Sequence, residues 1–123
     1  MEKSALRVAY VDDDPDMRAM VALSLKHSHG CPMLTCATGA QAVREVPAFQ
    51  PDVIMVDYLM PGMNGFQTLD ALAHLMDLSE VKLVMTSGVE LTPAQCRTRA
   101  AELLPKPFDL GRLGQLLEDL CSR

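Results

Sequence analysis

Apolar runs of strand length alternate along this chain with segments that repeat their apolar residues at helical spacing. Leu6-Arg7-Val8-Ala9-Tyr10-Val11 is the first such run, and it ends abruptly in Asp12-Asp13-Asp14 followed by Pro15. Proline is tolerated in the first turn of a helix, and acidic residues there are favoured by the helix dipole. Met17, Met20, Val21 and Leu25 then mark a first helix to about His27, with Gly30 as its stop. A weaker second strand is expected around Met33-Leu34-Thr35-Cys36. Thr38-Gly39 turns into a short helix carrying Ala40, Val43 and Val46, which Pro47 is expected to end. Gln50-Pro51-Asp52 leads into Val53-Ile54-Met55-Val56-Asp57, a continuous apolar run that reads as a strand buried on both faces.

The alternation continues beyond Gly65. Phe66, Leu69, Leu72, Ala73 and Met76 outline one side of a third helix. Val81 to Met85 forms a fourth strand that ends in Thr86-Ser87-Gly88. Thr92 before Pro93 is an N-cap with proline at the first helical position, opening a short fourth helix to about Ala100. Glu102-Leu103-Leu104 is a fifth strand closed by Pro105-Lys106-Pro107-Phe108. Leu110, Leu113, Leu116, Leu117 and Leu120 define the last helix. Five strand–helix repeats in strict alternation predict an α/β fold, a parallel sheet with helices on both faces. There is no internal sequence repeat, low-complexity segment or linker, so residues 1–123 are expected to form one domain without a second, output domain.

Composition narrows the function classes. Hydrophobic residues make up 49% of the 123, enough for one sizeable core, while aromatics are 4% and tryptophan is absent. The core must therefore be built from Leu, Val, Ala and Met. A net charge of −5 and the lack of any basic run argue against nucleic-acid binding. No apolar stretch approaches the roughly 18 residues of a membrane span. Met1–Ser4 is polar and runs straight into a strand, unlike a signal peptide. Cys31, Cys36, Cys96 and Cys121 form neither a C-x-x-C pair nor a zinc spacing, so they read as reduced, mostly buried thiols of a cytoplasmic protein.

The chemistry lies in what the strands deliver. In a parallel sheet the C-terminal strand ends share one edge, where open α/β sheets bind ligands. Strand one brings Asp12 and Asp13 to that edge, strand three Asp57, strand four Thr86 and Ser87, and strand five Lys106. Each alone has a plain structural reading: Asp57 as a turn residue, the Asp12–Asp14 run as a solvated helix cap, Lys106 as a surface lysine, Thr86 as a turn hydroxyl. Their joint arrival does not. Crowded carboxylates raise one another's pKa, and a hard cation relieves the repulsion. An all-oxygen set without His or Cys suits Mg²⁺. The implied chemistry is phosphoryl transfer to the Asp57 carboxylate, which needs in-line positioning and charge neutralisation. Mg²⁺ on Asp13 and Asp57, the Lys106 ammonium, and the Thr86 hydroxyl with nearby backbone N–H groups would each take one phosphoryl oxygen.

Four segments in this order, Val11-Asp12-Asp13-Asp14-Pro15, Asp57-Tyr58-Leu59-Met60-Pro61-Gly62-Met63-Asn64-Gly65, Met85-Thr86-Ser87 and Lys106-Pro107-Phe108, resemble the receiver domain of two-component response regulators over essentially the whole chain. The resemblance implies a flavodoxin-like, CheY-like (βα)₅ fold with strand order 2-1-3-4-5. It implies that Asp57 accepts phosphate from a phosphohistidine on a sensor histidine kinase or histidine phosphotransfer protein. Asp13, Asp57 and the backbone carbonyl of Leu59 would bind Mg²⁺, with Asp12 acting through water. Thr86 and Lys106 would sense the phosphoryl group, and the Lys106–Pro107 bond would be cis.

This sequence departs from the family pattern in places. Asn64 stands where Asp is frequent, a mild change at a turn. Leu103 occupies the position three before the lysine that often carries Tyr or Phe, so the usual threonine–aromatic coupling cannot operate in that form. The segment between Thr86 and Lys106 is slightly short, and a short or displaced fourth helix is expected. Both of these last features bear on readout and leave phosphate acceptance untouched. The main alternative is therefore a receiver-fold interaction module that works without phosphate. A Mg²⁺-dependent phosphatase of the haloacid dehalogenase type is a third reading. It is disfavoured because Pro15-Asp16 does not continue its Asp-x-Asp motif, Asp57 has Leu59 at plus two, and there is no cap domain.

Overall fold

The computed structural model describes residues 5–123, so the reading of Met1–Ser4 as a polar lead-in lies outside the described residues. The elements follow one another as β1 (Val8–Val11), α1 (Pro15–His29), β2 (Met33–Cys36), α2 (Gly39–Phe49), β3 (Val53–Asp57), α3 (Gly65–Ala73), β4 (Lys82–Ser87), α4 (Pro93–Arg97), β5 (Ala101–Pro105) and α5 (Leu110–Cys121). All strand pairs are parallel and the sheet order is β2-β1-β3-β4-β5, the flavodoxin-like arrangement expected. None of the described helices is long and apolar enough to cross a membrane.

Strand periodicity sorts the core into two layers, because successive side chains of a strand point to opposite faces. Ala9, Val11, Ile54 and Val56 pack with Ala42, Val46, Leu69, Leu72 and Cys96 of α2, α3 and α4. Val8, Tyr10, Val53 and Met55 pack with Val21, Leu25, Leu113, Leu117 and Leu120 of α1 and α5. Each fully buried leucine contributes roughly 2 kcal/mol. Asp14, Thr38, Asn64 and Thr92 accept backbone N–H groups as N-caps, Thr92 as expected from the sequence, and Gly30 closes α1 in the left-handed region at φ 64°.

Several local expectations are corrected. Pro47 does not end α2; the helix continues to Phe49. Proline in the last turn forfeits a single backbone bond, and tertiary contacts hold the remainder. The Phe49 carbonyl accepts both Nε (3.0 Å) and Nη2 (2.9 Å) of Arg7, whose guanidinium lies 4.2 Å from the centre of the Phe49 ring. The buried stripe of α2 is Ala42 and Val46, whereas Ala40 is exposed and Val43 half-buried. α1 runs two residues past His27, to His29, and Met20 faces solvent. α3 ends at Ala73, which is exposed, and Met76 packs on the core from beyond the helix. Leu116 of α5 is also exposed.

The fourth helix is short, as expected, and stops at Arg97 rather than near Ala100. The chain turns instead through Thr98 to Ala100, where Ala100 adopts φ 56°. Arg99 fixes this turn to α3: its Nε and Nη2 each donate to a carboxylate oxygen of Asp70 at 2.8 Å, and its guanidinium stacks 4.3 Å from the Phe66 ring centre. Cys31, Cys36 and Cys96 are buried free thiols; burial pushes each of these three up, that of Cys36 to about 11.

Candidate functional site

The Asp12–Asp14 run separates into three environments. Asp14 is the N-cap of α1, accepting the amides of Asp16 (2.9 Å) and Met17 (3.4 Å). Asp13 is exposed. Asp12 is fully buried, because β1 carries it into the interior on the same face as Tyr10. Its Oδ1 accepts the Asp14 amide at 3.0 Å, and its Oδ2 accepts the Tyr10 hydroxyl at 2.5 Å. Its backbone carbonyl takes Arg18 Nη1 at 2.7 Å. The solvated-cap reading thus holds for Asp14 alone.

Asp57 ends β3 beside Thr86 of β4 in the parallel register, and it is 6% exposed. Lys106 reaches over from the loop after β5. Its Nζ lies 2.9 Å from Asp12 Oδ2 and 3.4 Å from Asp57 Oδ2. The lysine is seated by its own amide, which donates to the Ser87 carbonyl at 2.8 Å, and it precedes a cis peptide bond to Pro107. Ser87 in turn clasps the loop after β4, its hydroxyl donating to the Val89 carbonyl at 3.0 Å. One carboxylate oxygen from each of Asp12, Asp13 and Asp57 falls within 4.8 Å of the others. Leu59 follows two residues after Asp57 and is 62% exposed.

The loop after Asp57 is tightly built. Tyr58 N–H donates to the Thr86 carbonyl and Gly65 N–H to the Tyr58 carbonyl, both at 2.8 Å. Gly65 starts α3 so close to the strand end that a Cβ there would stand 2.5 Å from Met85 Sδ and 2.9 Å from the Asp57 carbonyl oxygen. Glycine is required by that approach, whatever the backbone angles.

Burial dominates the electrostatics. It pushes the Asp57 carboxyl up to about 6; Lys106 pulls it back down, and Asp12 and Asp13 raise it further. For Lys106, burial works against the charge, but the hydrogen bond to Asp12 and the charges of Asp57 and Asp12 outweigh it, so the ammonium is held above its ordinary range. Burial, and then the bond to Asp12, drives the Tyr10 phenol up. The Thr86 hydroxyl is buried without a hydrogen-bond partner, the only such side-chain atom among the described residues. An oxygen-only donor set, more carboxylates than cations and an orphaned hydroxyl at the same strand edge fit a hard divalent cation and an incoming oxyanion. Tyr10 is the site residue that the sequence reading missed. The available signal was its position two before Asp12 on a strand, which places both on one face.

A doubly wound sheet of this order, with an acidic pocket and a lysine at its C-terminal edge, defines the receiver class of α/β domains. The chain belongs to the response regulator receiver domain family, whose model matches residues 8–118. Protein PilH of Pseudomonas aeruginosa is 30% identical over 107 residues, covering 84% of this chain and 87% of that protein. Protein-glutamate methylesterase/protein-glutamine glutaminase 5 of Myxococcus xanthus is 33% identical over 125 residues, covering 98% of this chain and 36% of that protein. The solved structure of chemotaxis protein CheY4 of Vibrio cholerae superposes with a TM-score of 0.84 at 28% identity, covering 94% of this chain and 98% of that one. This chain spans 35% to 52% of the length of the first curated relatives it matches.

Proposed function

We propose that Asp57 accepts a phosphoryl group from the phosphohistidine of a sensor histidine kinase or histidine phosphotransfer protein, and that the resulting aspartyl phosphate switches partner binding. The observation that carries this reading is Lys106 Nζ poised between Asp12 and Asp57, at 2.9 and 3.4 Å, beside the acidic cluster. An Asp57 carboxylate oxygen attacks phosphorus. The P–N bond to the donor histidine breaks, and the ring nitrogen keeps the electron pair and takes up a proton. Asp13, Asp57 and the Leu59 carbonyl would hold Mg²⁺, with Asp12 acting through water, and the bound ion would supply positive charge to the phosphoryl group.

Lys106 moves its ammonium toward a second oxygen as a point charge. The Thr86 hydroxyl donates to the third, which relieves its unpartnered burial and draws the loop after β4 inward. Asp57 carries an anion that burial disfavours, and a bound cation would compensate it. The domain promotes its own phosphorylation and dephosphorylation and turns over no other substrate. It works in the cytoplasm, with a protein as its downstream partner.

Intact mass after incubation with acetyl phosphate and Mg²⁺ tests the reading. One added phosphoryl group in the wild type, absent from Asp57→Asn, is the expected result. No adduct from acetyl phosphate or from a histidine-kinase donor, in protein that binds Mg²⁺, would overturn it.

Leu103 and the five-residue α4 favour one further reading, a module that binds its partner in the same way with or without phosphate. Leu103 lies opposite Met85 in the β4–β5 register and packs on the core, so no aromatic ring follows Thr86 inward. Equal partner affinity of wild type and Asp57→Asn under phosphorylating conditions would support that reading.

A further inference from the structure

Asp12 is fully buried, and Lys106 is one of its few donors. The proposed reaction requires Lys106 to turn from Asp12 to the phosphoryl group on Asp57. A buried carboxylate left short of donors is strongly penalised, so the lysine would leave Asp12 reluctantly unless something else held the same oxygen. The Tyr10 hydroxyl does so, donating to Oδ2, the very oxygen that Lys106 Nζ contacts. The Asp14 amide covers only Oδ1. Tyr10 is itself fully buried among α1 and α5 residues, and its ring is locked by that packing. Its hydroxyl therefore cannot follow the lysine and stays on Asp12.

We propose that Tyr10 is a positioning residue for phosphoryl transfer: it retains Asp12 Oδ2 so that Lys106 is released to the phosphoryl group without stranding a buried carboxylate. This rests on the phosphoacceptor reading above. Tyr10 touches neither the phosphoryl group nor the donor and acts only through Asp12 and Lys106. Asp12 Oδ2 in this arrangement is a relay whose side-chain donors change, lysine and tyrosine before transfer and tyrosine during it, while the Asp14 amide stays on Oδ1 throughout.

The test is a double-mutant cycle on phosphorylation by acetyl phosphate, using Tyr10→Phe, Lys106→Met and the pair. Phenylalanine keeps the ring and its packing, and urea unfolding verifies that the variant is folded. The limiting phosphorylation rate of Tyr10→Phe is expected to fall about tenfold, the scale of one hydrogen bond to a charged group. Its half-saturating Mg²⁺ should move by less than about twofold, because Asp13 and Asp57 are untouched. In the Lys106→Met background the same substitution should change the rate by less than about twofold, since no lysine then has to be released. A wild-type rate in Tyr10→Phe, or an equal loss in both backgrounds, overturns the proposal.

A second readout is independent of rate. The chain contains two tyrosines, so [¹³Cζ]tyrosine labelling yields two resonances, and Tyr10→Phe identifies one of them. The Tyr10 resonance is expected to keep its carboxylate-bonded position when acetyl phosphate and Mg²⁺ hold the protein phosphorylated. Movement to the position of a free hydroxyl would overturn the proposal, even where Lys106→Met proves too slow to measure. A wild type that takes up no phosphoryl group at all would instead defeat the phosphoacceptor reading on which the proposal stands.

Discussion

Thr86 stands next to Asp57 in the register of β3 and β4, and its hydroxyl is buried without a hydrogen-bond partner while its backbone carbonyl holds the Tyr58 amide. The backbone of this residue is thus committed to the Asp57 loop, and its side chain is left waiting. A buried donor without an acceptor costs about 1–3 kcal/mol.

Thr86→Val should therefore stabilise the resting protein. The methyl group fills the space of the hydroxyl without its desolvation penalty, and urea unfolding in EDTA should show a gain of about 1 kcal/mol. The same variant should bind a phosphorylation-dependent partner more weakly, because no hydroxyl meets the phosphoryl oxygen. A loss of resting stability would show that Thr86 has an acceptor in solution.

Asp57 sets a pH dependence. Its carboxyl rises from an ordinary 3.8 to about 6 in the folded state, chiefly through burial. Between these values the folded protein binds more protons than the unfolded chain, so stability falls as pH rises through the window and levels off above about pH 6. The decline should amount to roughly 1–3 kcal/mol in metal-free protein. Asp57→Asn should flatten that part of the curve and be the more stable form at pH 7. Denaturation midpoints from pH 4 to 7 check this, and a wild-type curve that rises across the window would contradict it.

On the proposed reading, Lys106 and a divalent cation would compete for the same carboxylates. Lys106→Met should bind Mg²⁺ at least as tightly as the wild type while responding more weakly to phosphorylation. Asp13→Ala should lose affinity by roughly tenfold or more. Calorimetric titration of the three proteins distinguishes these outcomes, and unchanged affinity in Asp13→Ala would remove Asp13 from the metal site.

Gly65→Ala should damage both fold and site. The added methyl would meet Met85 Sδ and the Asp57 carbonyl oxygen, at 2.5 and 2.9 Å from an ideal Cβ. Relief requires α3 to move away from the strand end, at a cost of about 2–3 kcal/mol. Urea unfolding should report the loss, and Mg²⁺ affinity should fall with it because the Asp57 loop is displaced.

Arg99 holds the turn that replaces the end of α4. Arg99→Lys should lose both the paired bonds to Asp70 and the stacking on Phe66, since a lysine offers neither a fork nor a flat face. The pair is partly exposed, so global stability should drop by only about 0.5–1 kcal/mol. Amide exchange should quicken at residues 98–100 and leave α3 nearly unchanged.

The sequence by itself determined the alternation of elements, the parallel sheet and the edge at which Asp12, Asp13, Asp57, Thr86 and Lys106 meet. Those features follow from local rules: apolar runs that must be buried, caps such as Thr92, and a connection geometry that sends parallel strand ends to one side. The tertiary structure decided what those rules do not reach. Pro47 stays inside α2 because Arg7, remote in the chain, grips the Phe49 carbonyl. The three aspartates after β1 share a charge and a neighbourhood in sequence, but only packing makes one a cap, leaves one exposed and buries the third. Whether the Tyr10 hydroxyl and the Lys106 ammonium meet on one oxygen depends on contacts between β1 and a loop 94 residues further along. Such contacts, and the burial that pushes Asp57 to about 6, arise from close packing between distant segments.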